Sequence, residues 1–182
     1  MKGQIAFDSI AAPLFCLLLL SCGRDSHRLY GHWKLIPAKS VSIDPWADLL
    51  LDIHGDGTHV TIVKCYLAGS AHDRRVDSMT VNTEGNEEIV PIPPGRWLGE
   101  VSMGIHYGPE TKRHVLARMS DVNNELHIDT RETLETAQGE TDVEVKETYA
   151  LGSDGSTVQL SENRSTRRSG PPLTYTFARA KQ

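Results

Sequence analysis

Short runs of alternating apolar and polar residues, each closed by turn-forming residues, dominate the chain from Tyr30 onwards. Leu49, Leu51 and Ile53 alternate with other positions, and their run ends at Gly55-Asp56-Gly57. Alternation with a period of two places one face of a strand against a core and the other towards solvent. We find no credible long amphipathic helix. The pattern therefore predicts an all-β domain.

About nine or ten such runs follow one another, and most of the connections between them are short. The predicted strands are 30–35, 49–53, 58–67, 76–81, 88–92, 114–119, 125–134, 143–149, 157–162 and 173–177, with 101–107 as a further candidate. Short links make neighbours in sequence neighbours in space, which predicts an antiparallel meander. A meander of this length closes into an up-and-down β-barrel, because closure removes the exposed edges. The alternative is a two-sheet β-sandwich.

An apolar segment precedes the strands and ends in Leu19-Leu20-Ser21-Cys22. Residues 10–20 form an apolar run of 11 residues, interrupted by Pro13, which is short of the roughly 20 needed to cross a bilayer. With Lys2 before it, the segment resembles a bacterial lipoprotein signal peptide. That resemblance implies a signal peptide at 1–21, a lipid on Cys22 as the membrane anchor, a polar tether at 22–29 and a single barrel domain at 30–182. The residue directly after the cysteine is Gly23, and in this respect the segment is similar to the signals of lipoproteins that are sorted to the outer membrane of the cell envelope.

Charge and cysteine content narrow the classes of partner. The formal net charge is -5, so we expect no nucleic acid partner. Once the signal is removed and Cys22 is acylated, Cys65 is the remaining thiol, which excludes a disulfide within one mature chain. Cys65 lies in a strand pattern, and we interpret it as a half-buried apolar side chain.

Gly31-His32-Trp33 matches the G-x-W signature with which lipocalin-like barrels open. The continuation Trp33-Lys34-Leu35 to Ala38-Lys39-Ser40, then Asp44-Pro45-Trp46 and the closing Leu173-Thr174-Tyr175-Thr176-Phe177, is similar to a group of bacterial lipocalin-like secreted proteins. The resemblance covers both ends of the domain. It implies a lipocalin-like barrel in which Gly31 and Trp33 plug one end and Arg179 lies across the indole. Arg164, Arg167 and Arg168 are the alternative arginines for that contact.

Two sets of residues suggest chemistry. Asp52, His54, Asp56 and His59 flank one hairpin, where the two histidines could face each other as zinc ligands. We favour the simpler interpretation of Gly55-Asp56-Gly57 as a turn with exposed histidines and no metal. Glu132 and Glu147 could form an acid-base pair inside a cavity, but they end strand patterns, and we expect both in solvent.

The segment 91–100 holds Arg96 and Trp97 among prolines and glycines, and loops carried by a rigid barrel often bind ligands. We therefore expect these two residues to contact a ligand, although Trp97 could equally anchor the loop. The predicted function is binding of a small hydrophobic molecule, without catalysis and without a cofactor. The alternative is an envelope lipoprotein with a solid barrel core that acts through protein contacts.

Overall fold

The computed structural model describes residues 28–43, 46–69, 74–92, 111–120, 124–136, 139–167 and 169–180. The described residues form ten β-strands and one 3₁₀ turn, Pro37–Lys39. The strands are β1 (Gly31–Leu35), β2 (Asp48–Gly55), β3 (His59–Leu67), β4 (Arg74–Asn82), β5 (Glu84–Pro91), β6 (Lys112–Ser120), β7 (Glu125–Thr136), β8 (Gly139–Leu151), β9 (Thr157–Arg164) and β10 (Leu173–Arg179). The predicted signal peptide, most of the tether and the candidate strand 101–107 lie outside the described residues.

All ten strands belong to one antiparallel sheet in the order β4-β3-β2-β1-β10-β9-β8-β7-β6-β5. Neighbouring strands are consecutive in the chain except for β1 and β10, whose pairing curls the sheet round on itself. The result is a nearly closed barrel. The predicted all-β meander barrel is confirmed, and the alternative of two packed sheets is wrong, because all ten strands belong to one continuous sheet.

The β2–β3 hairpin forms where the sequence predicts it. The Asp56 carboxylate accepts hydrogen bonds from the backbone N–H groups of Thr58 and His59, and Gly57 has a φ of 100°, which suits glycine. These bonds lower the pKa of Asp56, the bond from His59 contributing most. Asp154 accepts from Ser156 in the same way between β8 and β9.

Two ends of the barrel differ in what fills them. The plugged end holds Trp33, the start of β1 and the end of β10, and its interior is apolar. Buried around Trp33 are, among others, Leu29, Leu51, Ile53, Val60, Ile62, Leu126, Ile128, Tyr149, Leu160 and Phe177. Leu29 is only 1% exposed, so the packed domain begins before the predicted boundary at residue 30. The opposite end, where β5 ends and β6 begins, is called the far end.

The barrel has a seam between β4 and β5. These strands are joined through Thr83, whose N–H donates to the carbonyl of Thr58, yet no ladder pairs them although every residue of both is described. The two edge strands of the sheet, β4 and β5, are therefore consecutive in the chain but are not paired with each other.

Candidate functional site

Five charged side chains lie buried inside the barrel, counted among the described residues. They are Lys64 on β3, Arg113 on β6, Glu132 on β7, Glu147 on β8 and Glu162 on β9. We call these five residues the charged layer. Towards the plugged end, the next inward positions on the same strands are Ile62, Val115, Thr130, Tyr149 and Leu160. The charged layer is therefore in the half of the barrel that leads to the far end, above a mostly apolar floor.

Lys64 and Glu147 form one ion pair of the layer. The ammonium of Lys64 donates to the Glu147 carboxylate, and the Tyr149 hydroxyl donates to the other carboxylate oxygen at 3.1 Å. Burial alone would lower the pKa of Lys64, but the negative charges around it, led by Glu147, raise that pKa well above its usual value. Lys64 is therefore a fixed ammonium at neutral pH, and this suits it to binding an anionic or polar group rather than to nucleophilic chemistry.

Arg113 connects strands on both sides of the seam. Its Nε lies 2.9 Å from the Glu132 carboxylate, and its Nη1 lies 3.7 Å from Asp77 and 3.9 Å from the sulfur of Met79. Asp77 and Met79 belong to β4, whereas Arg113 belongs to β6, so the guanidinium reaches past β5. A side chain thus joins the two sides of the barrel where the backbone ladder is missing.

Glu162 and the tyrosines complete the interior of this half. Glu162 pairs with Arg164 on the same strand, and Glu147 and Glu162 are direct neighbours across β8 and β9. Burial, followed by the charge of Glu162, raises the pKa of Tyr175 to about 12. Burial likewise raises the pKa of Tyr66. The phenols are therefore neutral hydrogen-bonding groups beside paired charges.

The expectation that Glu132 and Glu147 project into solvent is wrong, since they are 8% and 5% exposed. Each carboxylate is held inside by a cation from a different strand, and Lys64 is 83 residues away from Glu147 in sequence. The alternation of the sequence already indicated an inward position for Glu132, because this residue shares a strand face with Ile128 and Leu134. The same alternation aligns Lys64 with Val60 and Ile62, and Glu162 with Val158 and Leu160.

Trp33 and Arg179 lie together at the plugged end. The Arg179 guanidinium is 4.1 Å from the centre of the indole ring, and the two residues are direct partners between β1 and β10. The indole Nε1 donates to the Leu29 carbonyl at 3.1 Å. Of the alternative arginines, Arg164 contacts Glu162 and Arg167 donates to the Pro171 carbonyl, while Arg168 lies outside the described residues.

Gly31, the first residue of the G-x-W signature, is required by this packing. Its φ is 145°, and a Cβ atom there would lie 2.5 Å from the Arg179 guanidinium. Only glycine combines that backbone conformation with so close an approach.

The histidines on the β2–β3 hairpin do not face each other. Thr61, rather than His59, is the cross-strand partner of His54. His54 lies 3.6 Å from Asp52, and His59 lies 3.9 Å from Asp56. Within the described part of the chain, no group of three or more His, Cys, Asp or Glu residues has the geometry to hold a metal.

Three predicted functional residues, Cys22, Arg96 and Trp97, lie outside the described residues, and so do Asp44 and Pro45. Cys65 is partly exposed on the outer face of β3 and is a free thiol. Among the described residues, no helix is long and apolar enough to cross a membrane.

Two concavities lie on the outer face of the sheet, the larger over β6 to β9 and the smaller over β5 to β8. The larger, of about 390 Å³, is lined by residues such as Arg118, His127, Asp129, Lys146 and Asn163. The smaller, of about 240 Å³, shares Asp129 and Lys146 and continues to His114 and Arg131. Both are lined mainly by charged and polar residues.

Comparison with known proteins gives no family. No protein-family model matches the chain, and no curated protein matches it closely enough to be called a relative.

Proposed function

We propose that this protein is a lipocalin-like lipoprotein of the bacterial cell envelope whose barrel binds a small amphipathic molecule without catalysis. The observation that carries the proposal is the charged layer. From the sequence we expected a hydrophobic ligand. The apolar floor favours an apolar part of the ligand, as expected, and the charged layer favours a polar group on the same molecule.

Buried ion pairs are a poor way to stabilise a barrel. Desolvation of the two charges offsets much of their attraction, and apolar side chains of similar size are often as stable or more stable, by ~1–4 kcal/mol. Glu147 and Glu162 are moreover direct neighbours across two strands, an arrangement that is unfavourable for like charges. A role in recognising a polar group explains why these side chains occupy the interior.

Binding without catalysis fits the ion pairing within the charged layer. Lys64 is held as an ammonium by Glu147, so it is not an amine nucleophile at neutral pH. Glu147 and Glu132 are each already paired with a cation from another strand.

The envelope location rests on Leu19-Leu20-Ser21-Cys22. In this proposal Cys22 carries the lipid that attaches the barrel to the membrane, and Gly23 favours the outer membrane. Replacement of Cys22 by Ser is expected to abolish incorporation of labelled palmitate and to release the protein from the membrane fraction.

The test of binding is native mass spectrometry of the protein extracted from its own membrane. We expect a co-purifying small molecule on the wild-type protein. The same mass should remain on Lys146→Met, a matched control on the outer face, and should be lost from the double variant Lys64→Met/Glu147→Gln. The double variant removes both charges together, so no buried charge is left unpaired, and circular dichroism would confirm that it folds.

A second candidate function is contact with another envelope protein through a solid barrel. It is favoured by the packing of Trp33, Phe177 and Tyr149, all at most 1% exposed, and by the two concavities on the outer face of β5 to β9. A wild-type protein that carries no small molecule but retains a protein partner would support this function and contradict ligand binding.

A further inference from the structure

The segment that leads into β1, residues 28–30, is bound to the plugged end of the barrel. Arg179 donates from Nη2 to the Arg28 carbonyl at 2.9 Å and from Nη1 to the Tyr30 carbonyl at 3.1 Å. Between them, the Leu29 carbonyl accepts the indole N–H of Trp33, and the Leu29 side chain is buried in the core. The Arg28 guanidinium lies against Gly155 in the β8–β9 turn. Residues 28–30 are therefore secured to the plugged end.

The length of chain between Cys22 and Arg28 limits how the barrel can turn. Six residue steps span ~21 Å even when fully extended. The barrel is taller than that, since β8 has 13 residues, which at ~3.3 Å per residue and a tilt of ~40° gives a height of ~30 Å. A tether that leaves the plugged end cannot run down the outside of the barrel and bring the far end against the bilayer.

We infer that the plugged end is the membrane-facing surface of this protein and that the far end, with the charged layer, points away from the bilayer that anchors it. This inference rests on the proposed lipid at Cys22. It narrows the source of the ligand: an amphipathic molecule reaches the charged layer from the aqueous side or from a soluble or opposing donor, and not by direct transfer from the anchoring leaflet.

The two ends of β8 offer matched probe positions. Ser153, in the exposed turn after β8, marks the plugged end, and Thr141, exposed near the start of β8, marks the far end. In a Cys65→Ser background, with the Cys22 thiol acylated, Ser153→Cys or Thr141→Cys provides the single free thiol of the mature protein for a fluorescent donor. The lipidated protein is then placed in phosphatidylethanolamine–phosphatidylglycerol vesicles that contain a headgroup acceptor.

We expect energy transfer to the headgroups to be several-fold stronger from position 153 than from position 141. Equal transfer, or stronger transfer from position 141, would overturn the orientation while leaving the lipid anchor intact. Flotation with vesicles tests the anchor separately: if a Cys22→Ser protein floats as the wild type does, the anchor is wrong, and the inferred orientation fails with it.

Discussion

Trp33 combines burial with three contacts, a set that no other described residue of the plugged end shares. It is buried, its indole N–H is bonded to Leu29, its ring faces the Arg179 guanidinium, and its strand partner across the closing ladder is Arg179. A cation–π contact contributes ~0.5–2 kcal/mol depending on burial. Most of the stabilisation by Trp33 therefore comes from the buried apolar area of the ring.

Replacement of Trp33 by Ala should lower the free energy of unfolding by ~3–5 kcal/mol, the usual cost of removing a buried aromatic side chain. Urea denaturation followed by circular dichroism measures the change. A free energy of unfolding equal to that of the wild type would refute the role of Trp33 as the plug.

The pair Lys64 and Glu147 should behave as a coupled unit. Glu147→Gln leaves the Lys64 ammonium buried without its carboxylate, so we expect a loss of ~3–5 kcal/mol of stability. The double variant Lys64→Met/Glu147→Gln should lose less than this single variant, because neither charge remains. Urea unfolding of the wild type, both single variants and the double variant gives the coupling energy, and strictly additive effects would contradict a buried ion pair.

The raised pKa of Tyr175 predicts that the folded protein loses stability at alkaline pH. In the unfolded chain a tyrosine ionises near pH 10, whereas in the folded protein burial and Glu162 raise the pKa of Tyr175 to about 12. Below pH 10 both states hold the proton; between these two values the unfolded state loses it first, so the free energy of unfolding falls as the pH rises. Urea midpoints measured across this window should fall less steeply in Tyr175→Phe. Identical slopes would contradict the raised pKa.

At the scale of elements, β1 depends on a glycine at its first position. A side chain at Gly31 would need a φ of 145° and would approach the Arg179 guanidinium to 2.5 Å. Gly31→Ala should therefore displace Arg179 from Trp33 and cost ~1–3 kcal/mol.

Gly69→Ala is the matched control for this change, since a Cβ at Gly69 meets no atom of the described residues within 4 Å. Thermal unfolding of the two variants should separate them clearly. Equal melting temperatures would show that the start of β1 tolerates a side chain.

At the scale of the whole molecule, the seam between β4 and β5 is the place where the barrel should open first. Backbone ladders join every other pair of neighbouring strands, whereas across the seam Arg113 contacts Asp77 and Met79 through its side chain. Local opening follows the weakest set of interactions.

Arg113→Leu should accelerate hydrogen exchange in β4 and β5 more than in β8 and β9. Arg131→Leu is the control, because Arg131 lies exposed on the outer face of β7 and contacts Glu87 at 3.8 Å. Acceleration spread evenly over all strands would mean that Arg113 stabilises the barrel globally and does not hold the seam.

The sequence by itself determined the local parts of this protein. Period-two alternation predicted the described strands, and Gly55-Asp56-Gly57 predicted the β2–β3 hairpin, because a turn depends on a few consecutive residues. Gly31, Trp33 and Arg179 were identifiable through a resemblance to lipocalin-like barrels. Alternation also placed Glu132 and Glu147 on apolar faces, although we expected them in solvent.

Only the tertiary structure decided what lies inside the barrel. Pairing of β1 with β10 brings together strands from opposite ends of the domain, and the same curvature carries Lys64 to Glu147 and Arg113 to Asp77. A carboxylate on an inward face is unfavourable unless a cation from another strand reaches it, and no local pattern states which distant strand supplies that cation. The ion pairs of the charged layer are therefore a product of barrel closure, and local sequence could not reveal which side chains form them.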